Sequence, residues 1–156
     1  MVVYNVRRAP CVHFVGEQSY IYSAVPADSA LLALQSVQRT FWKKRRLPAP
    51  QFVETGFDNA ELHVTPHVLA FSGRRIAMPV GWLPKQHNSK PLPIDALIVT
   101  ADFRGTLTHA LAFYRPRLVV LHSSLSQRRA ELFAREAEAA GIEAFDVAHR
   151  GAFILR

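Results

Sequence analysis

The chain has 156 residues, 49% of them hydrophobic, and a formal net charge of +7. That length favours one domain with a core of its own, and the composition excludes a disordered chain. Its one cysteine, Cys11, excludes an internal disulfide, and no apolar run reaches the roughly 18–20 residues of a membrane span.

The charge is uneven along the chain. Residues 1–50 hold seven basic and two acidic residues, 51–100 hold four of each, and 101–156 hold eight and six. Such an excess raises the local concentration of polyanions, so nucleic acid and anionic membrane surfaces are the natural partners.

In chain order, residues 2–6 are β-rich, and Arg7-Arg8-Ala9-Pro10 interrupts them. Cys11–Val15 resumes as CVHFV, Gly16-Glu17-Gln18 turns, and Ser19–Ser23 returns as SYIYS. Alternation and aromatic content predict an opening β-meander. Asp28 or Ser29 is placed to cap a helix starting near Ala30, with Leu31, Leu34, Val37 (or Gln38) and Phe41 as its apolar stripe. The helix ends in Lys43-Lys44-Arg45-Arg46, cations that suit a helix C-terminus, before Pro48 and Pro50. Residues 51–61 are mixed, with turn signals at Gly56 and Asp58-Asn59. Residues 61–71 hold two β-like stretches broken by Pro66. With the Ser72-Gly73 turn and a return strand, 68–78 reads as a hairpin. Residues 79–93 carry four prolines with Gly81, Asn88 and Ser89, and read as a loop.

The last third changes character. Strands are predicted at 94–100, 118–121, 142–147 and 152–155, the last two joined at Arg150-Gly151. Helices are predicted at 105–114 and 126–140, the second with Ser126 as its cap and Gly141 as its stop. Continuous apolar strands between amphipathic helices indicate an α/β fold whose sheet is covered on at least one face.

Signatures of chemistry are sparse. His13, His63, His67, His87, His109, His122 and His149 form no chelating pattern. His63 and His67 lie on strand-like chain, where four residues span ~13 Å, too far to share one ion. There is no G-x-S-x-G elbow and no P-loop. Cys11 sits in an apolar strand, where thiols are buried and inert. Ser123-Ser124 follow the 118–121 strand and read as a turn before a helix. Glu131, Glu136 and Glu138 alternate with Arg128, Arg129 and Arg135 as a solvated helix face. Of the carboxylates, only Asp102, just past a buried strand, is placed like a site residue.

The basic clusters are stronger signals. Arg39, Lys43, Lys44, Arg45 and Arg46 share one helix end with Phe41 and Trp42. Arg74 and Arg75 occupy the hairpin turn, and Arg115, Arg117, Arg128 and Arg129 flank the LVVL strand. Cations beside an aromatic can hold a phosphate backbone and stack a base.

These residues also carry a family resemblance. The opening MVVYNVRRAPCVHFVGEQSYIYS resembles that of the metallo-β-lactamase-like domain in the ComEC family of DNA-internalisation competence proteins. There a strand runs into an Asp-Val-Gly-Gln-Gly-Asp turn and two further strands. Here Asn5-Val6-Arg7-Arg8-Ala9-Pro10 stands in the turn. The stretch from PIDALIVTADFRG to the closing RGAFILR resembles the family's last strand–helix–strand–helix–strand unit, and the 68–78 hairpin its penultimate one. Asp95, Leu97, Val99 and Gly105 keep scaffold letters. The His-x-His-x-Asp-His box is absent. Pro79-Val80 replaces the metal-binding Gly-Asp, and Ala101-Asp102-Phe103-Arg104-Gly105 replaces the His-His-Gly.

The resemblance implies a layered αββα-type sandwich, a shortened and degenerate metallo-β-lactamase fold. It implies one soluble domain over 1–156, the C-terminal part of an inner-membrane protein that passes single-stranded DNA, on the periplasmic side. The expected partners are single-stranded DNA, the parent's transmembrane portion and other competence proteins. No catalytic residue, metal ligand or cofactor carries over, and Asp102 and Arg104 mark the vacated site. The expected DNA contacts are Arg39, Lys43, Lys44, Arg45, Arg46, Arg74 and Arg75. Two alternatives stay open. One is a metal-dependent nuclease using His109 and His122 with Asp102. The other is a basic module that meets a membrane surface or a protein.

Overall fold

The computed structural model describes residues 1–85 and 90–156. The first sheet holds β1 (Val2–Val3), β2 (Cys11–Val15), β3 (Ser19–Ser23) and β4 (Gln51–Val53), closed at its other edge by β11 (Phe153–Ile154), in the order β11-β1-β2-β3-β4. The second holds β5 (Leu62–Val64), β6 (Leu69–Phe71), β7 (Arg74–Ala77), β8 (Leu92–Val99), β9 (Tyr114–Leu121) and β10 (Glu143–Asp146), in the order β10-β9-β8-β7-β6-β5. β7, β8, β9 and β10 run parallel.

The period of two along each strand builds the layers. In β2, Val12 and Phe14 enter a core shared with Leu62, Phe71, Ile76, Ile98 and Val120 of the other sheet. Cys11, on the opposite face, meets Leu34 and Trp42. In β8 and β9, Leu97, Val99, Val119 and Leu121 turn away from the shared core. They pack on Leu107 and Ala110 of α4 (Leu107–Phe113), and on Ala130, Phe133 and Ala137 of α5 (Gln127–Ala139). The first sheet is covered by α1 (Ala27–Ala33), α2 (Gln35–Val37), a π-helical turn (Gln38–Trp42) and α3 (Lys43–Arg45). The result is an α/β sandwich of four layers, helix–sheet–sheet–helix.

Several local expectations need correction. The first helix begins at Ala27, with Pro26 before it and no side-chain cap, so neither Asp28 nor Ser29 caps it. Its buried face runs through Ala30 and Leu34 to Trp42, while Leu31 is 41% exposed. Gln51–Val53, read as mixed chain, pairs in parallel with β3. The strand expected at 118–121 starts at Tyr114, because Arg115 and Pro116 pair with Pro93 and Ile94. Pro116 is tolerated because β10 joins β9 only from Leu118 onward, which leaves the earlier part an edge. After β10, Asp146 caps a short helix α6 (Val147–Arg150), accepting from the N–H groups of Ala148 and His149. The last strand therefore does not fold back on β10 but crosses to pair with β1. Of the loop read at 79–93, residues 86–89, including His87, Asn88 and Ser89, lie outside the described residues.

Candidate nucleic-acid interface

β8 delivers Asp102 and Arg104 to the edge of the sandwich, and the loop that carries them is fixed from three sides. The Gly81 N–H donates to the Asp102 carbonyl (2.7 Å) and the Arg104 N–H to the Gly81 carbonyl (2.9 Å). The Arg129 guanidinium donates to the carbonyls of Ala101 (3.2 Å) and Phe103. The Ala101 N–H donates to Ser124 Oγ (3.0 Å). Phe103 is fully buried beside Phe133. Arg129, read from the sequence as part of a solvated face, is thus a clamp on this loop.

The donor set at this edge does not fit a metal centre. His122, at the end of β9, is only 1% exposed. Its Nδ1 accepts the Ser124 N–H (2.9 Å), so the ring's free lone pair is engaged and Nε2 carries the proton. Burial pushes its pKa down to about 4, against a weaker opposing pull from the backbone of Tyr4 and Ala9. His109 Nε2 is tied to the Pro84 carbonyl (2.9 Å). Among the described residues no three His, Cys, Asp or Glu side chains gather as ion ligands, so Asp102, His109 and His122 form no such set.

His13 is equally structural. Trp42 Nε1 donates to Tyr4 Oη (2.9 Å), Tyr4 Oη bonds His13 Nδ1, and His13 Nε2 bonds Ser19 Oγ. Every group is satisfied when protons are donated from Trp42 towards Ser19. This relay ties the helical layer to the first sheet, and it consumes the aromatic part of the helix-end cluster. Trp42 is core, not a stacking surface, and Phe41 is half-buried, with the Arg45 guanidinium 5.7 Å from its ring centre. Burial pushes the neighbouring Cys11 thiol up to about 12, which leaves it inert at neutral pH.

The cations fall into two groups. Arg39, Lys43, Lys44, Arg45 and Arg46 are all exposed on the outer helical layer. The second group forms at the opposite end of β8 from Asp102. Because β7, β8 and β9 run parallel, their N-terminal ends meet at one edge. There Arg74, Arg75, Arg115 and Arg117 line one cleft of about 440 Å3 with Pro93, Asp95 and Pro116. Asp95 is the only carboxylate among these lining residues. Its oxygens accept from Arg74 Nη1 (3.3 Å) and the Arg75 N–H (2.9 Å). The guanidinium groups of Arg75, Arg115 and Arg117 are exposed and enter no ion pair among the described residues.

The two groups are linked. Arg74 and Arg156 line a neighbouring depression, and Arg156 and Arg45 line the next. Arginines therefore run from the helix end across the sandwich edge into the cleft.

The model of the ComEC C-terminal domain family matches residues 1–156, the whole chain. The chain belongs to the ComEC C-terminal domain family. ComEC is a membrane protein of competence DNA uptake, and the chain has a role in that process. None of the curated proteins compared with it matches. Among the described residues, no helix is long and apolar enough to cross a membrane.

Against this ComEC background, the sequence marked Arg74 and Arg75 as candidate contacts and Asp102 and Arg104 as the vacated position. The structure puts Arg74 and Arg75 in the arginine cleft, and Asp102 and Arg104 together in a smaller one. Arg115 and Arg117 were seen only as flanking a strand. Their alternation around Pro116 was the available signal, since it turns both side chains to one face. Trp82, in the smaller cleft, was missed.

Proposed function

We propose that this domain is a non-enzymatic part of the uptake channel that contacts single-stranded DNA, on the periplasmic side of the inner membrane and beside the membrane-spanning portion of its parent protein. The observation that carries the reading is the arginine cleft. Three exposed guanidinium groups without ion-pair partners among the described residues converge there beside Arg74. Planar, always-charged forks at close spacing suit consecutive phosphates, and the arginines leading to Arg45 extend the contact past a single phosphate. Arg39, Lys43, Lys44 and Arg46 add charge at the far end of that path.

The non-catalytic part of the reading rests on the donor chemistry at the family's metal position. One carboxylate, Asp102, stands there, and the buried His122 at the end of the adjacent strand β9 has its lone pair engaged. The experiment is a titration of a single-stranded oligonucleotide into the chain and into R75Q/R115Q/R117Q, with cleavage monitored in added manganese and zinc. The reading expects binding that the variant weakens and no cleavage. Equal binding by both proteins, or binding to acidic liposomes alone, overturns the DNA contact. Metal-dependent cleavage overturns the non-enzymatic assignment.

A further inference from the structure

Trp82 is 72% exposed, the most exposed large hydrophobic side chain among the described residues. Leaving an indole in water forgoes a large burial gain, and tryptophan is enriched where partners dock. Its neighbour Val80 is 51% exposed. The chain beneath it is held firmly. Gly81 adopts a φ of 69°, a left-handed conformation that favours glycine. Its backbone is bridged to the Asp102–Arg104 loop, and that loop is clamped by Arg129. Trp82 is thus presented on a fixed support.

The cleft beside it holds about 300 Å3 and is lined by Val80, Gly81, Trp82, Ala101, Asp102 and Arg104. This is the low end of small-ligand sites. Its chemistry differs from that of the arginine cleft. One cation and one carboxylate line it beside a flat aromatic. A free phosphate is disfavoured by Asp102, and a purely apolar segment would strand both charges. A nucleobase fits all three features. It has a π-face for the indole, N–H edge groups for the carboxylate, and a linked phosphate for the guanidinium.

We propose that Trp82 is a stacking platform for one base of single-stranded DNA, with Asp102 facing the base edge and Arg104 the adjoining phosphate. This rests on the reading that the domain meets single-stranded DNA, and it assigns the family's former metal position to base contact. It gives the two clefts separate tasks, phosphates in one and a base in the other.

The test compares a 20-nucleotide deoxycytidine oligomer with an abasic deoxyribose-phosphate oligomer of equal length, bound to the 156-residue chain and to W82A and W82F. Stacking on an aromatic makes W82A bind the deoxycytidine oligomer about 5- to 150-fold more weakly, with W82F close to the parent. The abasic oligomer binds W82A and the parent alike, and only the base-bearing oligomer quenches the exposed-indole emission. If the parent binds the deoxycytidine oligomer and W82A binds it equally well, stacking is overturned while the DNA contact stands. Stacking is likewise overturned if W82A loses the abasic oligomer to the same extent. If the parent binds neither oligomer, both readings fall.

Discussion

Lowering the pH from 7 to 5 should cost this domain a large part of its stability, through two buried histidines. Burial pushes the pKa values of His13 and His122 down to about 4, from 6.5. The hydrogen bonds explain why neither ring tolerates a second proton. At His122, a protonated Nδ1 would face the Ser124 N–H donor-to-donor. At His13, a protonated Nδ1 would displace the Tyr4 hydroxyl proton from its acceptor. As pH falls below 6.5 the unfolded chain takes up protons that the folded chain refuses. Stability is therefore complete above that pH, declines between 6.5 and 4, and is lost no further below 4. At pH 5 each histidine accounts for roughly 2 kcal/mol, so the pair accounts for about 4 kcal/mol, against a typical total of about 5–15. Urea unfolding at pH 7.5, 6 and 5 measures this directly. H122N keeps an acceptor near Ser124 but does not titrate, so it lowers stability while halving the pH dependence. A flat profile from pH 7 to 5 would show that the two rings do not resist protonation, as would an unchanged pH dependence in H122N.

Two substitutions probe the backbone at the same edges. A methyl group added at Gly105 would sit 2.6 Å from Phe103 Cζ and 2.9 Å from its Cε2, with the ring fully buried. G105A should therefore lose about 1–3 kcal/mol and lower Tm by about 2–12 °C, and an unchanged Tm contradicts the contact. Arg46 ends α3 in a left-handed conformation, φ 52° and ψ 38°, where Cβ is disfavoured. R46G should gain about 1 kcal/mol, read as a Tm rise of about 2–4 °C, while removing one cation from the helix-end group. A Tm that falls in R46G would show the turn to be relaxed as it stands.

The C-terminal half was legible because its signals are local. The apolar run in β8, the Ser126 cap and the Gly141 stop each follow from a few adjacent residues. What failed depended on distant partners. Gln51–Val53 is a strand only because β3 lies beside it, and the pairing of Phe153–Ile154 with the distant β1 had no signal in the adjacent residues. The site divides the same way. Arg74 and Arg75 read as a pair in a turn but open strand β7, after the Ser72-Gly73 turn, and their meeting with Arg115 and Arg117 is set by the parallel register of β7, β8 and β9. The sequence placed His122 only after a strand, as a ligand of the alternative nuclease site, with nothing to mark it as buried. In the fold it is 1% exposed, with the backbone of Tyr4 and Ala9 from the β1–β2 connection beside it. Trp82 stood in a proline-rich stretch with no periodicity to mark it as exposed.

If DNA is held electrostatically in the arginine cleft, the salt dependence of binding must report it. Each phosphate contact on a single strand contributes about 0.7 to the slope of log affinity against log salt. R75Q/R115Q/R117Q should therefore have a slope shallower by about 2, so that between 50 and 200 mM salt the parent loses roughly 18-fold more affinity than the variant. Identical slopes for the two proteins, with binding intact in both, would place the phosphates elsewhere and leave the cleft without its proposed role.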